Sequence, residues 1–62
     1  MIPTMFDTVV VSDPISSNAT HEHNFTGIVI DIDSEGCYVE DQNQDVYYCT
    51  FGEIKSIESD EE

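Results

Sequence analysis

The sequence predicts an all-β fold: five short strands, with one short helical turn before the last. Three observations carry that expectation. β-branched and aromatic residues gather in short runs, such as Phe6–Val11 and Phe25–Ile32. Clusters of turn-forming residues separate the runs: Ser12-Asp13-Pro14, Asp33-Ser34-Glu35-Gly36 and Gln42-Asn43-Gln44. No stretch repeats apolar residues at the 3.6-residue spacing of an amphipathic helix.

Phe6-Asp7-Thr8-Val9-Val10-Val11 is the first strand, and it ends before Pro14, which has no N–H to give to a ladder. The polar stretch from Ser12 to Asn24 is a long loop for so small a chain, with Ser16-Ser17-Asn18 as a turn inside it. Phe25 to Ile32 is the second strand. Its alternation puts Ile28, Ile30 and Ile32 on one face and Val29, Asp31 and Asp33 on the other, with the polar face outward. Gly27 inside it marks an expected bulge or bend. Cys37–Asp41 is the third strand, Asp45–Thr50 the fourth, Phe51-Gly52-Glu53-Ile54 the helical turn and Lys55–Glu58 a short fifth strand. If Asp41 and Asp45 flank a three-residue turn, paired positions sum to 86: Cys37 lies opposite Cys49 and Val39 opposite Tyr47. A two-residue turn would shift that register.

The chain has 62 residues, 14 of them Asp or Glu, with Lys55 as the one basic residue and a formal net charge of −13. The expected organisation is a single domain over residues 1–58 and a solvated acidic tail over 59–62. So acidic a chain offers no basic surface to a nucleic-acid backbone or an anionic membrane. Its acids also repel one another with little internal neutralisation, which costs stability at low ionic strength. The N-terminus, Met1-Ile2-Pro3-Thr4-Met5-Phe6-Asp7, lacks a basic segment followed by an apolar one. The expected location is therefore the cytoplasm, or a host's cytoplasm for a viral protein, with Cys37 and Cys49 as reduced thiols that pack as small apolar side chains; in an oxidising compartment the same register would let them form a cross-strand disulfide. The two glycosylation sequons, at Asn18 and Asn24, then read as chance.

The order of elements resembles the SH3-like barrel, especially its Tudor and KOW types. The residues that carry the resemblance are Phe25-Thr26-Gly27-Ile28-Val29 and the passage from Tyr47-Tyr48-Cys49 to Phe51-Gly52-Glu53-Ile54. The resemblance implies a small five-stranded SH3-like barrel. It also implies a binding module, which in the Tudor type holds a methylated Lys or Arg in an aromatic cage by cation–π contact. Phe25, Tyr38, Tyr47, Tyr48 and Phe51 supply rings for either a cage or a core. KOW-type nucleic-acid binding usually relies on basic loops, which this chain lacks.

Few constellations suggest chemistry. His21-Glu22-His23 has two imidazoles that an extended backbone can aim at one metal, with Cys37 or Cys49 completing the set, but the spacing fits no standard zinc framework. Exposed loop histidines are the expected reading. Asp31-Ile32-Asp33-Ser34-Glu35-Gly36 opens like an EF-hand loop, yet position 12 falls on Gln42 where a bidentate Glu is required. An acidic β-turn is expected there. The chain carries no phosphate loop and no nucleophile elbow. No catalytic residue, metal or cofactor is assigned, and the expectation is a non-enzymatic protein.

Four acids lie in residues 1–31 and ten in residues 32–62. General solvation, as in a halophilic or marine source, would spread them evenly, whereas a binding face would concentrate them. The size and charge are also similar to those of small acidic viral inhibitors that imitate DNA. The expected function is therefore a small phage-type inhibitor, filling the basic groove of a nucleic-acid-handling or defence protein. Asp31, Asp33, Glu35, Glu40, Asp41, Asp45, Glu53 and Glu58 would supply charge, and Tyr38, Tyr47 or Tyr48 an apolar anchor. The alternative is a Tudor/KOW-like module for a basic or methylated peptide, with acidity that reflects only the source.

Overall fold

A computed structural model of the protein describes residues 1–58. The acidic tail expected at 59–62 lies outside the described residues. β1 (Thr8–Val11), β2 (Phe25–Ile32), β3 (Gly36–Glu40), β4 (Val46–Thr50) and β5 (Ile54–Glu58) form one antiparallel sheet. A single 3-10 turn, Phe51–Glu53, precedes β5. The strand order is β4-β3-β2-β1-β5; among the described residues no ladder joins β4 to β5, so the hydrogen-bonded sheet is open. The fold is all-β, as the residue runs predict. No helix among the described residues is long and apolar enough to cross a membrane.

The core is small. Val9 and Val11 of β1, Val29 of β2, Cys37 and Val39 of β3, Cys49 of β4 and Ile54 of β5 are buried together. Phe25, Ile32, Tyr47, Phe51 and Ile57 pack around them. In β1, β3 and the start of β2 the buried residues alternate with more exposed ones, the period-2 signature of a sheet with one wet face. The hairpin register follows the sum of 86: Cys37 pairs with Cys49, Tyr38 with Tyr48 and Val39 with Tyr47. Both cysteines are free and buried.

The facing of β2 is corrected by the structure. Val29 is fully buried and Ile28 is 46% exposed, the reverse of the alternation expected from the isoleucines. A bulge is the reason. The register passes from Val29↔Val39 to Asp31↔Tyr38, leaving Ile30 as an extra residue, so the parity of the strand flips. Val29 before the bulge and Ile32 after it can then both pack on the core. Gly27 is not the bulge. It is buried at a close approach: a Cβ there would sit 2.5 Å from the Glu40 carbonyl oxygen and 2.7 Å from Val39 Cγ1.

The strand limits also shift. Phe6 is not in β1: it has φ 69°, although its N–H still donates to Val29 O at 2.8 Å. The segment before β1 is tied down at both ends, with the Met1 ammonium donating to Phe51 O at 3.2 Å and Pro3 buried between. The long loop is ordered by a few specific bonds. Asp13 Oδ1 accepts the Asn24 N–H at 2.7 Å across its neck. Thr20 pairs with the free edge of β4, giving its N–H to Tyr48 O at 3.1 Å and taking the Tyr48 N–H on Oγ1 at 2.8 Å. An edge strand covered in this way is less open to pairing with another chain.

Candidate functional site

The candidate site lies on the solvent face of β3 and β4. In register, Tyr38 and Tyr48 stand side by side, their rings 5.1 Å apart between centroids and inclined at 61°. That edge-to-face arrangement suits the aromatic quadrupole. Val46 adjoins them on the same face of β4 and is 47% exposed. Asn18 and Thr20, brought over by the long loop, line the same space together with Asp33. The result is an open cleft of about 680 Å³.

Asp33 is held there by the turn between β2 and β3. Its Oδ1 accepts three bonds: from the N–H of Glu35 at 2.8 Å, the N–H of Gly36 at 2.8 Å and the Tyr48 hydroxyl at 3.0 Å. The Asp33 N–H donates in turn to Gly36 O at 2.9 Å. Oδ2 makes no hydrogen bond among the described residues. The Glu35 and Gly36 amides, aided by the Tyr48 hydroxyl, hold the Asp33 carboxyl below its ordinary range against the opposing effect of desolvation. The Tyr48 phenol is pushed up to about 12, first by desolvation, then by its bond to Asp33 and the charges of Asp33 and Glu35. At neutral pH the site therefore holds a fixed carboxylate beside a neutral phenol. The EF-hand-like opening is an acidic turn, as expected, and no group of three His, Cys, Asp or Glu among the described residues is arranged to hold a metal.

The other acids predicted for a binding face are scattered. Asp31 is exposed and pairs with Tyr38 in register, and Glu35 is exposed in the turn beside Asp33. Glu40 is half-buried between Ile28 and Val46 in register. Asp41 shapes the β3–β4 turn, its Oδ1 accepting the N–H of Asn43 at 2.9 Å and of Asp45 at 3.0 Å. Glu58 is exposed at the far end of the sheet, paired with Thr8. Tyr47 points to the opposite face from Tyr48 and packs edge-on against Phe25 at 5.4 Å. Desolvation raises the Tyr47 phenol, with Asp45, Asp41 and Glu22 adding to it, so a second acidic neighbourhood lies on that side.

Glu53 is not part of any exposed face. It is fully buried, contrary to the expectation that it supplies surface charge. Its Oε2 accepts the N–H groups of Ile15 and Ser16, both at 2.7 Å, and its Oε1 accepts the Thr50 N–H at 3.0 Å. Burial alone would raise its pKa, but these backbone donors and the Thr50 hydroxyl outweigh it and hold the carboxyl below the ordinary value. The physical reason is economical: the long loop turns its amides inward at Ile15 and Ser16, and a carboxylate meets two of them at once.

His21 is corrected as well. It is 4% exposed rather than solvated, edge-on to Phe25 at 5.6 Å. Its Nε2 donates to Ser12 O at 2.9 Å, and its Nδ1 lies 3.7 Å from Cys49 Sγ. Burial, with Cys37 and Glu53 adding to it, pushes the Cys49 thiol up to about 12, so it stays protonated between Nδ1 and the Tyr47 carbonyl, 3.9 Å from its sulfur. Burial and Asp33 push Cys37 up to about 11. Neither sulfur has the depressed pKa of a nucleophile or metal ligand. His23, by contrast, is exposed, so the two imidazoles do not converge.

Sequence reasoning missed Asn18, Thr20 and Val46 as walls of the cleft. The Tyr38–Tyr48 pair was within its reach, since 38 and 48 also sum to 86. Set against protein families, curated proteins and solved structures, the chain finds no match in any of the three.

Proposed function

We propose that this protein is a small non-enzymatic inhibitor or adaptor that docks on a basic protein surface, of the kind that handles nucleic acid. The observation that supports it is the solvent face of β3 and β4: exposed Tyr38 and Val46 beside Asp31, Asp33 and Glu35. Apolar groups rimmed by one sign of charge suit a protein interface in which charge steers and rings anchor. The five strands and the 3-10 turn before β5 are compatible with the SH3-like barrel, a scaffold used for binding. Imitation of a nucleic-acid backbone belongs to the same reading. The spacings of any sheet, about 4.8 Å between strands and about 6.8 Å between alternate residues, lie near those of phosphates, so carboxylates on it can imitate them.

The test is crosslinking in the source cell, followed by reconstitution with the purified partner. A partner crosslinked through Lys- and Arg-rich peptides, and released by double-stranded DNA, supports the reading. Recovery of acidic partners alone, or a basic partner that DNA does not displace from its groove, overturns it.

A further inference from the structure

We propose that the cleft of Tyr38, Tyr48 and Asp33 seats one unmodified arginine side chain of the partner. The inference rests on the basic-partner reading and names the residue that the partner inserts. Three features of the cleft select that group.

The first is the free oxygen of Asp33. Oδ1 is fully occupied by the Glu35 and Gly36 amides and the Tyr48 hydroxyl, which fixes the carboxylate without consuming Oδ2. Asp33 lines the cleft and is exposed, so this oxygen, without a partner among the described residues, is open to an N–H donor from outside. The second is the ring pair. Tyr38 is 38% exposed, leaving an aromatic surface for a flat cation to lie on, while Tyr48 braces it edge-on at 5.1 Å. A guanidinium is planar and weakly hydrated, stacks on rings, and carries N–H donors in a fork that reaches a neighbouring carboxylate. The third is the field: Asp33 and Glu35 both act on the Tyr48 phenol, so the cleft is locally negative within a molecule of net charge −13.

The same features disfavour a methylated ligand. Two rings at an angle do not enclose a methylammonium group, and the carboxylate oxygen prefers N–H over methyl. Lysine offers N–H donors but no plane to stack. The walls supplied by Asn18, Thr20 and Val46 leave room for the aliphatic stem.

The experiment is a titration of the isotope-labelled, full-length protein with N-acetyl-arginine amide at 150 mM NaCl, followed by NMR. Shift changes should saturate at millimolar ligand and concentrate at Asp33, Gly36, Tyr38 and Tyr48. Asp33→Asn keeps an oxygen for the three bonds of the turn but replaces Oδ2 with a donor, and should weaken binding at least ~5-fold. Tyr38→Ala should do the same through the other half of the site. Glu58→Gln makes the same charge change at the far edge of the sheet and should leave affinity within about 2-fold. N-acetyl-lysine amide and the asymmetric dimethylarginine derivative should bind at least ~3-fold more weakly. Equal losses in Asp33→Asn and Glu58→Gln would reduce the effect to general charge and overturn the cleft, while leaving the basic-partner reading intact. Tighter binding of dimethylarginine would overturn it in favour of a methylated ligand.

Discussion

At the residue scale the acids do two different jobs, and Glu53 marks the division. With one Lys in the chain, carboxylates cannot rely on salt bridges, so several accept backbone amides instead: Asp13 from Asn24, Asp33 from Glu35 and Gly36, Asp41 from Asn43 and Asp45, Glu53 from Ile15, Ser16 and Thr50. Glu53 is the extreme case because it is fully buried and joins the long loop to the 3-10 turn. Removing a buried acceptor leaves its donors without partners, at about 1–3 kcal/mol each. Glu53→Ala should therefore cost about 3 kcal/mol or more, comparable to the whole stability of a domain this small. Glu53→Gln keeps one oxygen and turns an NH₂ group toward amide donors, so it should cost roughly 2 kcal/mol. The pH dependence has a definite sign. A carboxyl whose folded pKa lies below its unfolded value stabilises the fold above the unfolded value, about 4.3 for Glu, and loses that contribution as pH falls through the folded value. Urea unfolding of the parent and Glu53→Gln should thus differ most at neutral pH and converge in acid below pH ~4. A difference independent of pH would show that the charge of Glu53 is not what the fold uses.

At the scale of elements, the β3–β4 hairpin carries a local cost that can be removed. Asp41 and Asp45 close its three-residue turn, the Asp41 N–H donating to Asp45 O at 2.9 Å, and Gln44 sits in the left-handed region at φ 69°. Three-residue hairpin loops place a left-handed residue at that position, ordinarily Gly, because a Cβ there costs roughly 1–2 kcal/mol. Glycine gives back part of that gain through its more flexible unfolded chain. Gln44→Gly should therefore stabilise the protein by roughly 0.5 kcal/mol, a rise in thermal midpoint of about 2–4 °C. A lower midpoint would show that the Gln44 side chain holds the turn by another contact. This hairpin was the most legible part of the sequence: of the two turn lengths open at 41–45, the three-residue one gives the observed register, with Cys37 opposite Cys49 and Val39 opposite Tyr47, and Tyr38 opposite Tyr48 follows from it. β2 was less legible because its two faces are both apolar. Ile28, Ile30 and Ile32 compete with Val29 for the core, and only the bulge at Ile30 decides between them. Bulges depend on the partner strand, and a single-strand alternation carries no trace of one. His21 and Glu53 were misplaced for a related reason. A polar side chain is buried when backbone groups from distant segments meet it, here Ser12 O for His21 and the Ile15 and Ser16 amides for Glu53, and that meeting is a property of the loop's path.

At the scale of the whole molecule, the net charge of −13 sets opposite responses to salt for folding and for binding. The radius of gyration is 10.2 Å. At 0.01 M salt the screening length is about 30 Å, so each exposed acid feels all the others, while at 0.15 M it falls to about 8 Å and only neighbours interact. Self-repulsion within the folded chain therefore fades as salt rises. Raising NaCl from 10 to 500 mM should lift the thermal midpoint by roughly 5 °C, equivalent to about 1 kcal/mol for a domain of this size. Attraction to a basic partner fades over the same range, so the association rate should fall steeply while dissociation changes little. The opposed signs make the pair of measurements decisive. A protein whose acids merely keep it soluble would show the rise in midpoint alone. An interface that depends on apolar contact without charge would show an association rate that is flat in salt. A midpoint that does not move would mean that the backbone amides, which already hold Asp13, Asp33, Asp41 and Glu53, neutralise enough of the charge locally for its long-range part not to matter.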